Sequence, residues 1–214
     1  MLANSYCEKH IHDKILLPLL RLFAYILELD DEELLANIHR YDAPGLEYLR
    51  YMQYYPRSEE EDARLGNLWA KAHSDYNSFT FLFYQPVAGL QVLVDEGGGN
   101  VWKYVKSENP GDIIVNIADA LEFLSGGFLK STVHRVVRPP ADQASKPRLG
   151  LIYFARPEAG VSMVPVKSKL LDRLGLSTPE KERKALQNVT AEGMHCTYIL
   201  ISFEYMYIFA DAVY

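Results

Sequence analysis

From Ile11 to Leu29, apolar residues recur at Ile11, Ile15, Leu19, Leu22, Phe23, Ile26 and Leu27, a spacing that gathers one apolar stripe on a helix. Pro18 lies inside this stretch and predicts a bend or the first turn of the main helix, because proline lacks an N–H and crowds the preceding turn. A second, short helix is predicted from Glu32 to His39, with Asp30 or Asp31 as its cap. The turn chemistry of Asp42-Ala-Pro-Gly45 closes this helical opening.

From Leu46 the period changes. LEYLRYMQYY, FTFLFYQ, GLQVLV, VWKYV, DIIVNI, STVHRVV and RLGLIYFA are short runs rich in Val, Ile, Tyr and Phe, punctuated by Gly, Pro and Asn. They read as strands, and several at short intervals predict a β-sandwich or barrel. Gly97-Gly98-Gly99-Asn100 falls between two of them. No Lys-Ser/Thr pair follows, so it reads as a hairpin turn and not a phosphate loop. Beyond Pro157 helices are predicted at Ser168 to Leu174 and at Pro179 to Leu186. The expected fold class is therefore mainly β with flanking helices. The expected organisation is a helical support region over 1–45, a β domain over 46–157, and a helical extension with an apolar tail over 158–214.

The 214 residues are 49% hydrophobic and 23% charged, which excludes a largely disordered or fibrous chain. Lys and Arg number 22 against 28 Asp and Glu, a net charge of -6 with no basic arm, so nucleic acid is not an expected partner. Cys7 and Cys196 suggest neither a disulfide framework nor a zinc site and fit a cytoplasmic setting. The opening MLANSYCEKHIHDK lacks the apolar core and cleavage site of a secretory signal. The tail from Cys196 to Tyr214 is apolar, but Glu204 and Asp211 interrupt it, so no membrane span is expected.

Iron(II) in oxygenases is commonly held by two imidazoles and one carboxylate on one face of an octahedron, with the opposite face open. His73-Ser74-Asp75 offers two of these ligands; on a strand, residues two apart share a face. The third would come from a neighbouring strand, and His134 stands in STVHRVV, where a lone ionisable group among valines is costly to bury without a partner. An H-x-D triplet also arises by chance, and a strand histidine can be a satisfied core residue. His10 and His12, two apart on a helix, diverge and are expected in solvent. Trp102, Phe81, Phe83 and Phe123 are expected in the core or a pocket wall.

The stretch from Tyr51 to Pro157 resembles the Fe(II)/2-oxoglutarate dioxygenase domain of the isopenicillin N synthase-like superfamily. The resemblance lies in the HSD triplet at 73, AGLQV from Ala88, PGDIIVNIADALEFLSGG from Pro110, KSTVHRVV from Lys130 and RLGLIYFARP from Arg148. RYMQYYPRSEEED and the HRVVRPPADQ loop are most similar to fungal members. The resemblance implies a double-stranded β-helix (jelly roll) with Fe(II) held by His73, Asp75 and His134. It also implies 2-oxoglutarate and O2 as cosubstrates, and hydroxylation or desaturation of a small organic metabolite in secondary metabolism by a cytoplasmic monomer. The cosubstrate's distal carboxylate would meet Arg148, fourteen positions beyond His134, and Tyr55 would add a hydrogen bond. Asn116 and Asp119 would support the ligands.

The family pattern Arg-x-Ser is here Arg148-Leu149-Gly150. Loss of one hydrogen bond to a charged group costs roughly 1.5 to 3 kcal/mol if nothing replaces it, which leaves open a same-fold Fe(II) oxidase that does not use 2-oxoglutarate. Family members carry a region of their own ahead of the barrel, and the tail after Gly193 matches nothing in the family pattern. An incomplete chain, even a barrel without catalysis, is thus a further expectation.

Overall fold

The computed structural model describes residues 2–43 and 47–194. The apolar tail from Cys196 and the second half of the Asp42–Gly45 turn lie outside the described residues. The first half runs α1 (Leu2–Ile11), a π-helical turn (His12–Leu16), α2 (Leu17–Ile26), α3 (Leu34–Asn37), β1 (Tyr48–Tyr54), α4 (Glu59–Arg64), β2 (Leu68–His73), β3 (Phe79–Phe83), β4 (Leu90–Asp95) and β5 (Asn100–Tyr104). It continues with β6 (Ile113–Ile117), α5 (Asp119–Leu124), β7 (His134–Val137), β8 (Arg148–Ala155), α6 (Lys169–Leu174) and α7 (Glu180–Leu186). Among the described residues two compact units emerge: a helical one from 2–43, 47, 120–129 and 156–194, and a β unit from 48–119 and 130–155. Residues 120–129, between β6 and β7, thus group with the helical unit.

In the helical unit the buried apolar positions of the long N-terminal helix, among the described residues, are Ile11, Leu16, Leu20, Ala24 and Leu27. The predicted stripe is corrected here, since Leu22 and Ile26 are exposed. The π turn from 12 to 16 makes the first buried step five residues long, which rotates the buried face of everything after it. It sits just ahead of Pro18, where the ring would crowd the carbonyl of Lys14 in an unbroken α-helix. His12, expected in solvent, is buried and meets the edge of Tyr41 at 5.3 Å between ring centroids. His10 is exposed as expected. Ser168 caps α6 by accepting from the Leu171 N–H at 3.0 Å and also donates to the Leu27 carbonyl. Gly175 closes α6 in the left-handed region at φ +68°. Ala120 and Leu124 of α5 pack with Met163 and Ala191, and half-buried Phe123 leans on that cluster.

The β unit is two four-stranded antiparallel sheets, ordered β1-β8-β3-β6 and β2-β7-β4-β5. Each chain neighbour among β2, β3 and β4 changes sheet, which gives the jelly-roll winding. In the first sheet Phe79, Phe81 and Tyr153 share one face and are buried. Register and pleat put Tyr54, Arg148, Gly150, Thr80 and Asn116 on the other face. The hairpin between β4 and β5 turns through Gly97 and Gly99, both at positive φ. Gly89, at φ +130°, presents no side chain where β4 meets β7: a Cβ there would stand 2.7 Å from the Val137 carbonyl oxygen. Its own carbonyl accepts the Val137 N–H at 2.9 Å. Buried Asp62 of α4 accepts from Trp69 Nε1 at 3.0 Å and pairs with Arg57 at 2.9 Å and Arg138 at 3.1 Å, fixing α4 to the outer ends of β2 and β7.

Candidate metal centre

His73 closes β2 and His134 opens β7, and the two are direct partners in the antiparallel register. Their rings lie 4.4 Å apart, centroid to centroid. Each Nδ1 faces a backbone carbonyl, Lys71 O at 2.8 Å for His73 and Thr132 O at 3.0 Å for His134. A carbonyl only accepts, so each Nδ1 carries a proton, and in the neutral ring the lone pair is then on Nε2. The tautomer that binds a metal is therefore set by the backbone before any metal arrives.

Asp75 lies beyond the end of β2, so the expected pleat does not bring it to His73; a turn does. Its backbone carbonyl accepts the Asp119 N–H at 2.8 Å, and its carboxylate Oδ2 accepts from Thr80 Oγ1 at 2.6 Å and Asn116 Nδ2 at 3.2 Å. Ser74 between the two ligands donates to Asp119 Oδ2 at 3.0 Å. The carboxylate is left 8% exposed, with Oδ1 3.8 Å from His73 Nε2 and Oδ2 3.8 Å from His134 Nε2. One atom from each residue lies within 4.8 Å of the others, and among the described residues this is the one such group of three potential ligands. With metal–ligand distances of about 2.0 to 2.2 Å, ligands at a right angle stand about 3 Å apart, so the set must draw in by roughly 1 to 2 Å to close on an ion. Two neutral imidazoles and one carboxylate are the donor set of a facial iron triad.

Arg148, at the head of β8, is 3% exposed, and its Nε has no hydrogen-bond partner. Burial lowers its pKa, and the neighbouring Tyr54 works the other way. A buried guanidinium with an unused donor calls for an anion. Tyr55, expected beside it, is 69% exposed. The tyrosine at Arg148 is Tyr54, paired with it in register, with the guanidinium 5.7 Å from its ring centroid. The pleat decides between the two, because adjacent residues of a strand point to opposite faces. Burial also raises the Tyr54 pKa, which keeps its hydroxyl a donor. Gly150 leaves room: an added Cβ would meet only ordinary contacts, Met52 at 3.8 Å and Ile152 at 3.9 Å.

Sequence reasoning did not find Thr80, Asn77 or Tyr54. Asn77 and Thr80 follow closely on Asp75, in a stretch that reads simply as the approach to a strand.

The family model of the 2OG-Fe(II) oxygenase superfamily matches residues 46–157. A 2-oxoglutarate-dependent dioxygenase of Amanita muscaria, iboH, is 32% identical over 165 residues, covering 74% of this chain and 77% of its own. The 2-oxoglutarate-dependent dioxygenase frbH of a Dothideomycetidae species is 31% identical over 201 residues, 90% of this chain and 59% of its own. Among solved structures, a full-length Neurospora crassa protein in complex with alpha-KG superposes with a TM-score of 0.65 at 25% identity, over 88% of this chain and 52% of that one. A putative 2OG-Fe(II) oxygenase family protein from Caulobacter crescentus gives 0.68 at 26%, over 91% and 57%. The chain belongs to the 2OG-Fe(II) oxygenase superfamily, and its sheets are that family's jelly roll. It spans about half the length of these solved structures.

Proposed function

We propose that this chain is the barrel of an Fe(II)- and 2-oxoglutarate-dependent dioxygenase that hydroxylates or desaturates a small organic metabolite. The observation that carries the reading is the convergence of His73, Asp75 and His134 with both imidazole tautomers preset. Iron held there would activate O2, the oxidant, two of whose four electrons would come from 2-oxoglutarate as it is decarboxylated to succinate and two from the substrate. The chain contributes ligand geometry through the triad. Arg148 takes the distal carboxylate, and Tyr54 is the second donor, in the role the resemblance gave to Tyr55. The imidazole of His73 is half-exposed, which would leave a metal held there open to small molecules.

The acidic balance of 22 basic against 28 acidic residues favours a small-molecule partner over nucleic acid. No helix among the described residues is long and apolar enough to cross a membrane. A free cysteine, Cys7, accords with a cytoplasmic setting, and fungal relatives accord with a place in secondary metabolism. We take the protein to act as a monomer, which sedimentation would test.

Anaerobic titration with Fe(II), with and without 2-oxoglutarate, tests the reading. The wild type should develop the weak visible charge-transfer band of a chelated cosubstrate, and His73→Ala or Asp75→Ala should develop none and form no succinate. The same band in either variant refutes the ligand assignment. Gly150 favours one second reading, an oxidase of this fold that dispenses with 2-oxoglutarate; oxygen uptake in its absence would select it.

A further inference from the structure

Asp75 is tied down more completely than a lone carboxylate ligand needs to be. Asn77, 1% exposed, donates from Nδ2 to Thr80 Oγ1 at 2.9 Å. With that lone pair engaged, the single hydroxyl proton of Thr80 is directed to Asp75 Oδ2, 2.6 Å away. Asn116, the register partner of Thr80 on β6, supplies a second donor to the same oxygen. Oδ2 therefore has two hydrogen bonds, while Oδ1 accepts none from any described side chain.

We infer that Thr80, oriented by Asn77, is the positioning residue that makes Asp75 a one-oxygen ligand. This deepens, and rests on, the reading of the triad as a metal site. A carboxylate with both oxygens free can grip an ion with both and occupy two of its positions. One whose Oδ2 is held by Thr80 and Asn116 offers only Oδ1 and keeps a further position open for cosubstrate and oxygen. A purely structural role would need only that the buried hydroxyl find some acceptor. The donation from Asn77 is the extra feature, because it removes the hydroxyl's freedom to turn elsewhere.

Cobalt(II) serves as the probe, with binding and the visible absorption spectrum read on the full chain under anaerobic conditions. Thr80→Val keeps the shape and the β-branch but removes the donor. It should bind cobalt about ten- to a hundredfold more weakly, with an altered spectrum, while Thr80→Ser stays within about threefold of the wild type with the parent spectrum. Should Thr80→Val prove too unstable to purify, Thr80→Ala is read in the same way. Wild-type cobalt affinity and spectrum in the donor-less variant would overturn the inference, as would a Thr80→Ser variant as weak as Thr80→Val. Failure of the wild type itself to bind cobalt would instead strike the metal reading.

Discussion

The two ends of the candidate site are built on opposite plans. At the metal end each of the three side chains already has its second partner: a carbonyl behind each imidazole, and Thr80 with Asn116 behind Asp75. At the other end Arg148 is buried with its Nε bare, and the position two residues on is a glycine. On the proposed reading the metal end is preorganised by the protein, whereas the guanidinium end would be completed by an arriving anion. An ion with open positions needs its ligands aimed beforehand. A flexible dicarboxylate can instead be captured by one strong charge that has been kept dry.

Arg148→Met gives the largest effect expected from breaking this contrast. It should weaken 2-oxoglutarate binding by roughly 3 kcal/mol, about 150-fold, as the charge-assisted hydrogen bonds are lost. Calorimetry should find the metal affinity unchanged; a parallel loss of metal binding would mean that the two ends are not separate. A second separation is between the site and the fold's tolerance of acid. His39, buried in the helical unit, has its pKa lowered to about 4 by desolvation. The unfolded chain takes up this proton near pH 6.5 and the folded one only near 4, so stability contributed by the neutral ring is present above pH 6.5 and is lost as pH falls towards 4. The loss is about 3 kcal/mol. Denaturant melts of wild type and His39→Gln should show the variant less stable at pH 7 but flatter below pH 6.5; an equal acid slope would assign the effect elsewhere.

Gly150→Ser sharpens the comparison by completing the bare end. The added Cβ meets no contact closer than 3.8 Å, so with the hydroxyl turned to the cosubstrate 2-oxoglutarate should bind about tenfold more tightly, near 1.4 kcal/mol. No gain would indicate that the space already serves another group. The smallest effect is expected from Tyr54→Phe, a few-fold weaker cosubstrate binding for one lost neutral donor of about 1 kcal/mol. Tyr55→Phe should change nothing, and the reverse ranking would restore Tyr55 to the site.

Seven strands were legible because Val, Ile, Tyr and Phe crowd their runs. β2 was not, since LWAKAH carries two alanines and a lysine, and its extended form comes from pairing with β7 through two irregularities in register. α4 had an unread signal in Ser58 and Glu61, whose side chains and backbone N–H groups satisfy each other as a capping box. The triad could be picked out by residue type, but the means of its convergence could not. Asp75 reaches the imidazoles through a turn held by Thr80, Asn116 and Asp119, contacts spanning up to 44 residues of chain between Asp75 and Asp119. The choice between Tyr54 and Tyr55 rests on strand parity relative to β8, which one sequence leaves undetermined by a single residue. The helix stripe went astray for a similar reason, since one extra residue in a π turn re-phases all that follows.

Gly89 never approaches the reacting atoms, yet its missing methyl has a mechanical consequence for them. Any side chain there would drive a wedge against Val137, at one end of the four-residue strand whose other end is His134. So short a strand has little slack to absorb the thrust, and its far end would swing like the tip of a lever. The aim of an imidazole is thus guarded by an empty space at the opposite end of its strand.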